Sequence, residues 1–291
     1  MRYYLENNTL FIRGRFTAAS TGIAGGIRQV STILNTTIPA GFDHADPVRH
    51  LDEVISRSGM GPDYFGLMTA VEMHHLCILQ YDFVTVFLTA GINDGNAAGP
   101  DTINSIVHSD QGMTDGAMLG AIITVTGAKA QALRNSGFAF TGTATDAVVI
   151  AHEGPVAHTY AGPLTGLGER ISAAVLHGIP EALKRHEGTV VRTSPSLFVY
   201  SRYGGDHWVE WEPGSCRYYP CHFPGQRCDF CYCPFYPCLD KDLGQWVTGS
   251  HNQRVWNCSS CILLHEPAVA GYLRENPEAS LKELKSRKNK G

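Results

Sequence analysis

Apolar positions fall in two rhythms over residues 1 to about 190. Residues 10–15 and 30–38, the latter carrying Val30, Ile33, Leu34 and Ile38, read as strands. Residues 83–88 and 147–151 are denser in apolar and β-branched side chains, as in strands buried on both faces. The helical rhythm appears after Asp46-Pro47, with Val48, Leu51, Val54 and Ile55 on one face and Gly59 closing the segment. Thr114 caps a longer helix with Met118, Ile122 and Val125 on one face and Leu119, Ala121 and Ala132 beside it. Residues 166–177 form another helix, and Pro180 opens a further one that ends near Gly188. This alternation predicts an α/β or α+β N-terminal domain with a single core, spanning residues 1–190.

The texture then changes. Lys129 is the only lysine before Lys184, whereas the last third is aromatic, proline-punctuated and rich in cysteine. Eight of nine cysteines follow the pattern Cys216-x4-Cys221-His222-x5-Cys228-x2-Cys231-x-Cys233-x4-Cys238, then nineteen residues, then Cys258-x2-Cys261-x3-His265. Few aliphatic residues lie between them, so bound metal has to supply much of the folding free energy of a small, turn-rich domain over residues 196–275. Four soft ligands satisfy a tetrahedral ion, so these ten residues predict two structural zinc sites, with iron–sulfur as the alternative. One partition joins Cys228 and Cys231 to Cys258 and Cys261. Closed thiolate sites leave no position for water, which makes the role structural or partner-binding. Residues 276–291 read as a charged, solvated tail helix, capped by Asn276 with Pro277 in its first turn.

The chain has 291 residues, 43% hydrophobic and 17% charged, with net charge −4. A general nucleic-acid or anionic-membrane binder is not indicated. Residues 196–291 hold eleven Lys/Arg and ten Asp/Glu, a weak footprint for a zinc-dependent nucleic-acid binder. No membrane span and no signal peptide are read from the sequence, which gives the expectation of a reducing cytoplasm where clustered thiols bind metal rather than pair as disulfides. Cys77, alone in the first domain, reads as a small core residue. Oligomeric state stays open.

No Gly-x-Ser-x-Gly elbow and no phosphate-binding loop is present. In HEGPVAH (152–158) the histidines are six apart and Gly154-Pro155 breaks a helix, so a zinc-protease reading fails. What remains is a set of polar residues in small, apolar surroundings: Ser20-Thr21, Asn35, Glu72, Asn93, Asn96, His108 and Asp110, and 141–146. Asp146 directly precedes a buried strand, where an unpaired carboxylate is costly. Glu72 lies in an apolar stretch, where desolvation would raise its pKa toward the general-base range. Lys129, Asp115 and Glu169 each also fit an ordinary place on a helix surface or in a first helical turn.

RFTAASTGIAGGI (15–27), TILNTTIP (32–39), FGLMTAVEM (65–73), VTVFLTAGI (84–92), TDGAMLGAIITVTGAKAQAL (114–133), TGTATDAVVIA (141–151) and TYAGPLTGLGERI (159–171) together resemble the adenosylcobinamide amidohydrolase family over residues 10–187. Residues 200–272 are similar to a small cysteine-rich domain that occurs alone or fused to such enzymes in archaea. The resemblance implies corrinoid salvage: the amide joining the aminopropanol arm to the corrin is hydrolysed, and adenosylcobyric acid re-enters cobalamin synthesis. The alternative is a corrinoid carrier or sensor that binds without hydrolysis.

A neutral amide is a poor electrophile, so its hydrolysis needs an activated water or hydroxyl, donors for the oxyanion and an acid for the leaving amine. Asp146 or Glu72 is placed as base, and Thr145 as nucleophile or proton shuttle. Asn35, Asn96 or the backbone of 24–26 would hold the oxyanion. Ser20, Thr21, Gly25, Gly26, Thr143 and Glu169 complete the expected substrate-binding set. Two variants also follow from the residues: self-cleavage before Thr143 or Thr145, and metal assistance through His108 and Asp110.

Overall fold

The computed structural model describes residues 1–39, 41–43, 45–92, 102–201, 206–211, 216, 218–231, 233–248, 254–276 and 278–288. It comprises two compact units, the first ending at Trp211 and the second starting at Glu212.

The first unit runs β1 (Arg2–Glu6), β2 (Thr9–Ser20), β3 (Gly26–Thr37), α1 (Pro47–Arg57), β4 (Tyr64–Thr69), β5 (Cys77–Tyr81), β6 (Val84–Gly91), β7 (Thr102–Ser109), β8 (Gly112–Met113), α2 (Asp115–Asn135), β9 (Ala147–His152), β10 (Val156–His158), α3 (Gly166–His186), β11 (Ser196–Ser201) and β12 (His207–Trp211). The ten-stranded mixed sheet has the order β12-β11-β5-β6-β7-β9-β2-β3-β4, with β1 also on β2. β11/β5, β7/β9 and β3/β4 are parallel, and the other pairs along this order are antiparallel.

Alternation along the strands builds two cores. Val84, Val86, Leu88, Ile103, Val107, Val148 and Ile150 meet Ala117, Met118, Ala121 and Val125 of α2 and Ala174, Val175 and Ile179 of α3. The opposite face curls on itself. Leu10, Ile12, Ile33, Phe65 and Leu67 pack with Phe87, Ile106 and Val149. A polar clasp closes the curl: Asn104 on β7 bonds to Asn35 on β3 and to the Met68 carbonyl on β4, and Asn35 bonds to Thr89 on β6. By length and composition α2 is apolar enough to cross a membrane, contrary to the sequence reading, but it packs its buried face on the sheet as a core helix.

Several expectations are corrected. α3 is one helix that passes through Pro180. Proline removes one N–H, but the buried stripe Val175, Ile179, Ala182 and Leu183 continues across it, and packing overrides local propensity. Gly178 lets this helix press on the sheet, because a Cβ there would collide with Leu79 and Leu88. The first unit also extends beyond residue 190, because β11 pairs with β5 and β12 with β11. Arg185, 1% exposed, bonds to Ser196 Oγ (2.8 Å), Glu181 Oε2 (2.8 Å) and Glu210 Oε1 (2.7 Å), tying α3 to both strands.

The second unit holds the hairpin β13 (Gln245–Thr248) and β14 (Arg254–Asn257), then α4 (Pro267–Glu275) and α5 (Leu281–Lys288). α5 is not a solvated tail: Leu284 is 0% exposed and packs with Leu263, Leu264, Val269 and Leu273. Asn276 ends α4 rather than starting the next helix, and Pro277 lies outside the described residues. Ser280 caps α5 reciprocally. Its N–H and hydroxyl donate to the Glu283 carboxylate (both 2.6 Å), and its Oγ accepts from Glu283 N–H.

Candidate active site and cysteine centre

A cavity of about 380 Å3 opens where the parallel strands β7 and β9 begin. Its walls include Thr21, Gly22, Leu67, Met68, Thr69, Thr102, Asn104 and 144–147. The turn before β9 supplies the charge. Asp146 pairs with Lys129 of α2, and both side chains are only 8% exposed. Asp146 Oδ1 accepts from Ile103 N–H (2.8 Å) and the Thr143 hydroxyl (2.6 Å), and Oδ2 also accepts from Thr143 N–H (2.9 Å). Gly142 makes this pair fit, since a Cβ there would stand 2.5 Å from Asp146 Oδ2 and 2.7 Å from Lys129 Nζ. Thr145 Oγ1 lies 2.6 Å from Thr102 Oγ1, a hydroxyl pair on the cavity wall. Lys129 is thus a buried partner of Asp146, not a surface residue.

Of the expected residues, the cavity wall takes Asp146, Thr145 and Thr21. Thr21 is committed to backbone: its Oγ1 accepts from Val148 N–H at 2.9 Å. Ser20 Oγ accepts from Gly22 N–H, and Gly25 N–H bonds to Gly22 O, so Gly25 closes a turn instead of facing an oxyanion. Gly26, at φ +117°, is exposed and completes that turn. Asn35 stands behind Asn104, with Nδ2 on Thr89 Oγ1 (3.0 Å). Thr143 serves Asp146. Glu169 is exposed in the first turn of α3. Asn93 and Asn96 lie outside the described residues.

Glu72 does not have the expected burial. It is exposed, away from the cavity, and accepts from Asn8 Nδ2 (2.9 Å), because its neighbours Val71 and Met73 take the inward positions of the turn. Sequence reasoning missed Asn104, Thr102 and Thr69. The signal was the alternation in TINSIVHS (102–109), which puts Asn104 and His108 on one face of a strand.

His108 and Asp110 are joined by Glu153 at the far end of β7 from the cavity. His108 Nε2 is 3.2 Å from Glu153 Oε2, which also takes the Met1 amino group at 2.6 Å, while Oε1 accepts from Arg15 N–H at 3.1 Å. Burial pushes the Glu153 carboxyl up, but these donors outweigh it and bring its pKa down to about 2. Both oxygens are engaged, so the group is an ion network and not a site beside the cavity.

In the second unit every cysteine is a free thiol. Burial, then Cys228, Cys221 and Cys216, push the Cys231 thiol up to about 11. Burial, then Cys238, Cys258 and Cys261, push Cys233 up to about 12 against a bond from the Phe235 backbone. The thiols therefore fall into two neighbourhoods, 216/221/228/231 and 233/238/258/261, which differ from the pairing of the two Cys-x-x-Cys turns with each other. Gln226, 4% exposed, sends Nε2 to Cys221 Sγ (3.2 Å) and Cys228 Sγ (3.3 Å). His222 and His265 line a cavity of about 270 Å3 with Cys231, Cys233, Cys238, Cys258 and Cys261. His265 Nδ1 is 2.8 Å from the Arg227 carbonyl, so this nitrogen donates.

A mixed α/β domain with a charged, hydroxyl-lined cleft, followed by a cysteine-rich module, is the framework of a two-part enzyme. The chain belongs to the adenosylcobinamide amidohydrolase family, whose model matches residues 4–190, and a cysteine-rich small domain matches residues 207–288. It is 38% identical over 196 residues to the adenosylcobinamide amidohydrolase of Methanosarcina mazei, covering 63% of this chain and 98% of that one. The Halobacterium salinarum protein of the same name is 26% identical over 182 residues, 56% of this chain and 78% of that one. A segment of 52 residues, 18% of this chain, is 48% identical to 14% of a probable cobalt-factor III C(17)-methyltransferase of Methanothermobacter thermautotrophicus.

Proposed function

We infer that this protein hydrolyses the aminopropanol amide of adenosylcobinamide to adenosylcobyric acid in corrinoid salvage. The carrying observation is the similarity to the Methanosarcina mazei amidohydrolase over 98% of that chain. Among the described residues lining the cleft, Asp146 is the only carboxylate and there is no histidine. The base role therefore rests on Asp146. Water attacks the amide carbon, and its proton passes to Asp146, directly or through the hydroxyl pair of Thr145 and Thr102. The C–N bond then breaks, the amine leaves with that proton, and the new carboxylate retains the water oxygen. Four donors already meet Asp146; the Thr143 hydroxyl can rotate away to admit the proton. Lys129 pairs with the Asp146 carboxylate before it takes the proton and again once the amine has left with it.

The donor set of the second unit suits structural zinc. The eight thiols fall into two quartets, and Gln226 aims N–H donors at two sulfurs, as amides beside metal-bound thiolates do. His222 and His265 would then flank the quartets. Zinc there would hold the turns of this module together and takes no part in the hydrolysis.

Incubation with adenosylcobinamide tests the enzyme: free aminopropanol and adenosylcobyric acid are expected at multiple turnovers. Binding of one equivalent without cleavage would make the protein a carrier. Asp146→Asn should lower kcat by about 10²- to 10⁴-fold. Metal analysis of the purified chain should return two zinc ions per chain and no iron absorption.

A further inference from the structure

Asn104 is 1% exposed, lines the cleft, and is held from one side only. Its Nδ2 donates to Asn35 Oδ1 (3.0 Å) and to the Met68 carbonyl (2.9 Å). Among the described residues its buried Oδ1 has no hydrogen-bond partner. The Met68 carbonyl fixes which end is which: reversing the amide would set oxygen against oxygen. A rigid, desolvated acceptor thus stands in a residue of the cleft wall. Buried acceptors that go unpaired are costly, and they favour a ligand that brings an N–H.

The arm of the substrate that must reach Asp146 is the one that is cut. Its secondary amide carries a single N–H. We propose that Asn104 Oδ1 accepts the N–H of the scissile amide and so orients its carbonyl carbon toward Asp146. This rests on the amidohydrolase reading. As the C–N bond breaks the nitrogen gains a proton and becomes a stronger donor. The contact therefore tightens toward the transition state and bears on kcat as well as on KM.

The test compares two substrates: adenosylcobinamide and the analogue whose scissile nitrogen is replaced by ester oxygen, which has no N–H to offer. Asn104→Ala should lower kcat/KM on the amide by about 10-fold while changing the ester by less than about 3-fold. Equal losses on both substrates would mean that Asn104 only braces the clasp, and no loss on the amide would remove it from recognition; either result overturns the proposal. If Asn104→Ala does not fold, adenosylcobinamide labelled with 15N at the scissile nitrogen and bound to Asp146→Asn decides the matter. Its N–H proton should move downfield and resist exchange with solvent; an unshifted, freely exchanging proton overturns the proposal. A wild-type protein that cleaves neither substrate would instead sink the amidohydrolase reading itself.

Discussion

Replacing Lys129 with methionine keeps an unbranched apolar stem, one atom shorter, but removes the charge. Asp146 then stays buried beside Gly142 with no cation. Breaking a buried pair from one side typically costs about 3–5 kcal/mol. Three N–H and O–H donors from Ile103 and Thr143 remain on the carboxylate, which places the expected loss near the lower end, about 3 kcal/mol. For a domain of this size that corresponds to a fall in Tm of roughly 6–12 °C. The double variant Lys129→Met, Asp146→Leu removes both charges and should recover most of the loss, since apolar replacement of a whole buried pair is often close to neutral. Thermal and urea unfolding of the single variants and the double variant measures the coupling directly. A Lys129→Met protein within about 1 kcal/mol of wild type would show that the pair contributes no more than a surface ion pair, and the account of the turn would fail.

Glu153 gives a pH signature. Its pKa is held at about 2, below its ordinary 4.5, so its contribution is present above pH 4.5 and is lost as pH falls through about 2. Glu153→Gln should flatten the acid limb of stability in that window and leave neutral pH as the place of greatest difference; an unchanged limb would refute this. Burial pushes the Cys77 thiol up to about 12, so native alkylation should spare Cys77 until the first unit unfolds, as mass mapping would report. Gln226→Ala should weaken metal retention by about 10-fold or more in chelator competition; equal retention would show that its N–H groups do not support the thiolates. Leu284→Ala should destabilise the second unit by about 2–4 kcal/mol, read from unfolding of the metal-loaded chain, whereas a solvated tail would show no change.

Helices were the more legible part of the chain. α1 and α2 appear where Pro47 and Thr114 announce them, because caps and a periodic apolar face are local signals. β9 was legible from its apolar run. β7 was not: its inward face carries Asn104 and His108, so its polar positions suggested a site before they suggested a strand. Glu72 shows the converse. Apolar neighbours in sequence do not bury a side chain when the turn directs it outward. Asp146 was recognisable as unusual, yet its partner Lys129 lies 17 residues away on a helix, and only the packing of α2 against β9 joins them. The cysteines stood out as candidate ligands, but spacing alone does not say which turn faces which.

The ribbon of β11 and β12 decides where the chain can be cut. Excision at residue 190 would strip the partner from β5, leaving a raw hydrogen-bonding edge open to aggregation, and would strand the guanidinium of Arg185 without Glu210. The two family segments therefore do not mark a severable seam: a fragment meant to isolate the hydrolase must carry the chain through Trp211, into the stretch that already counts toward the cysteine-rich module.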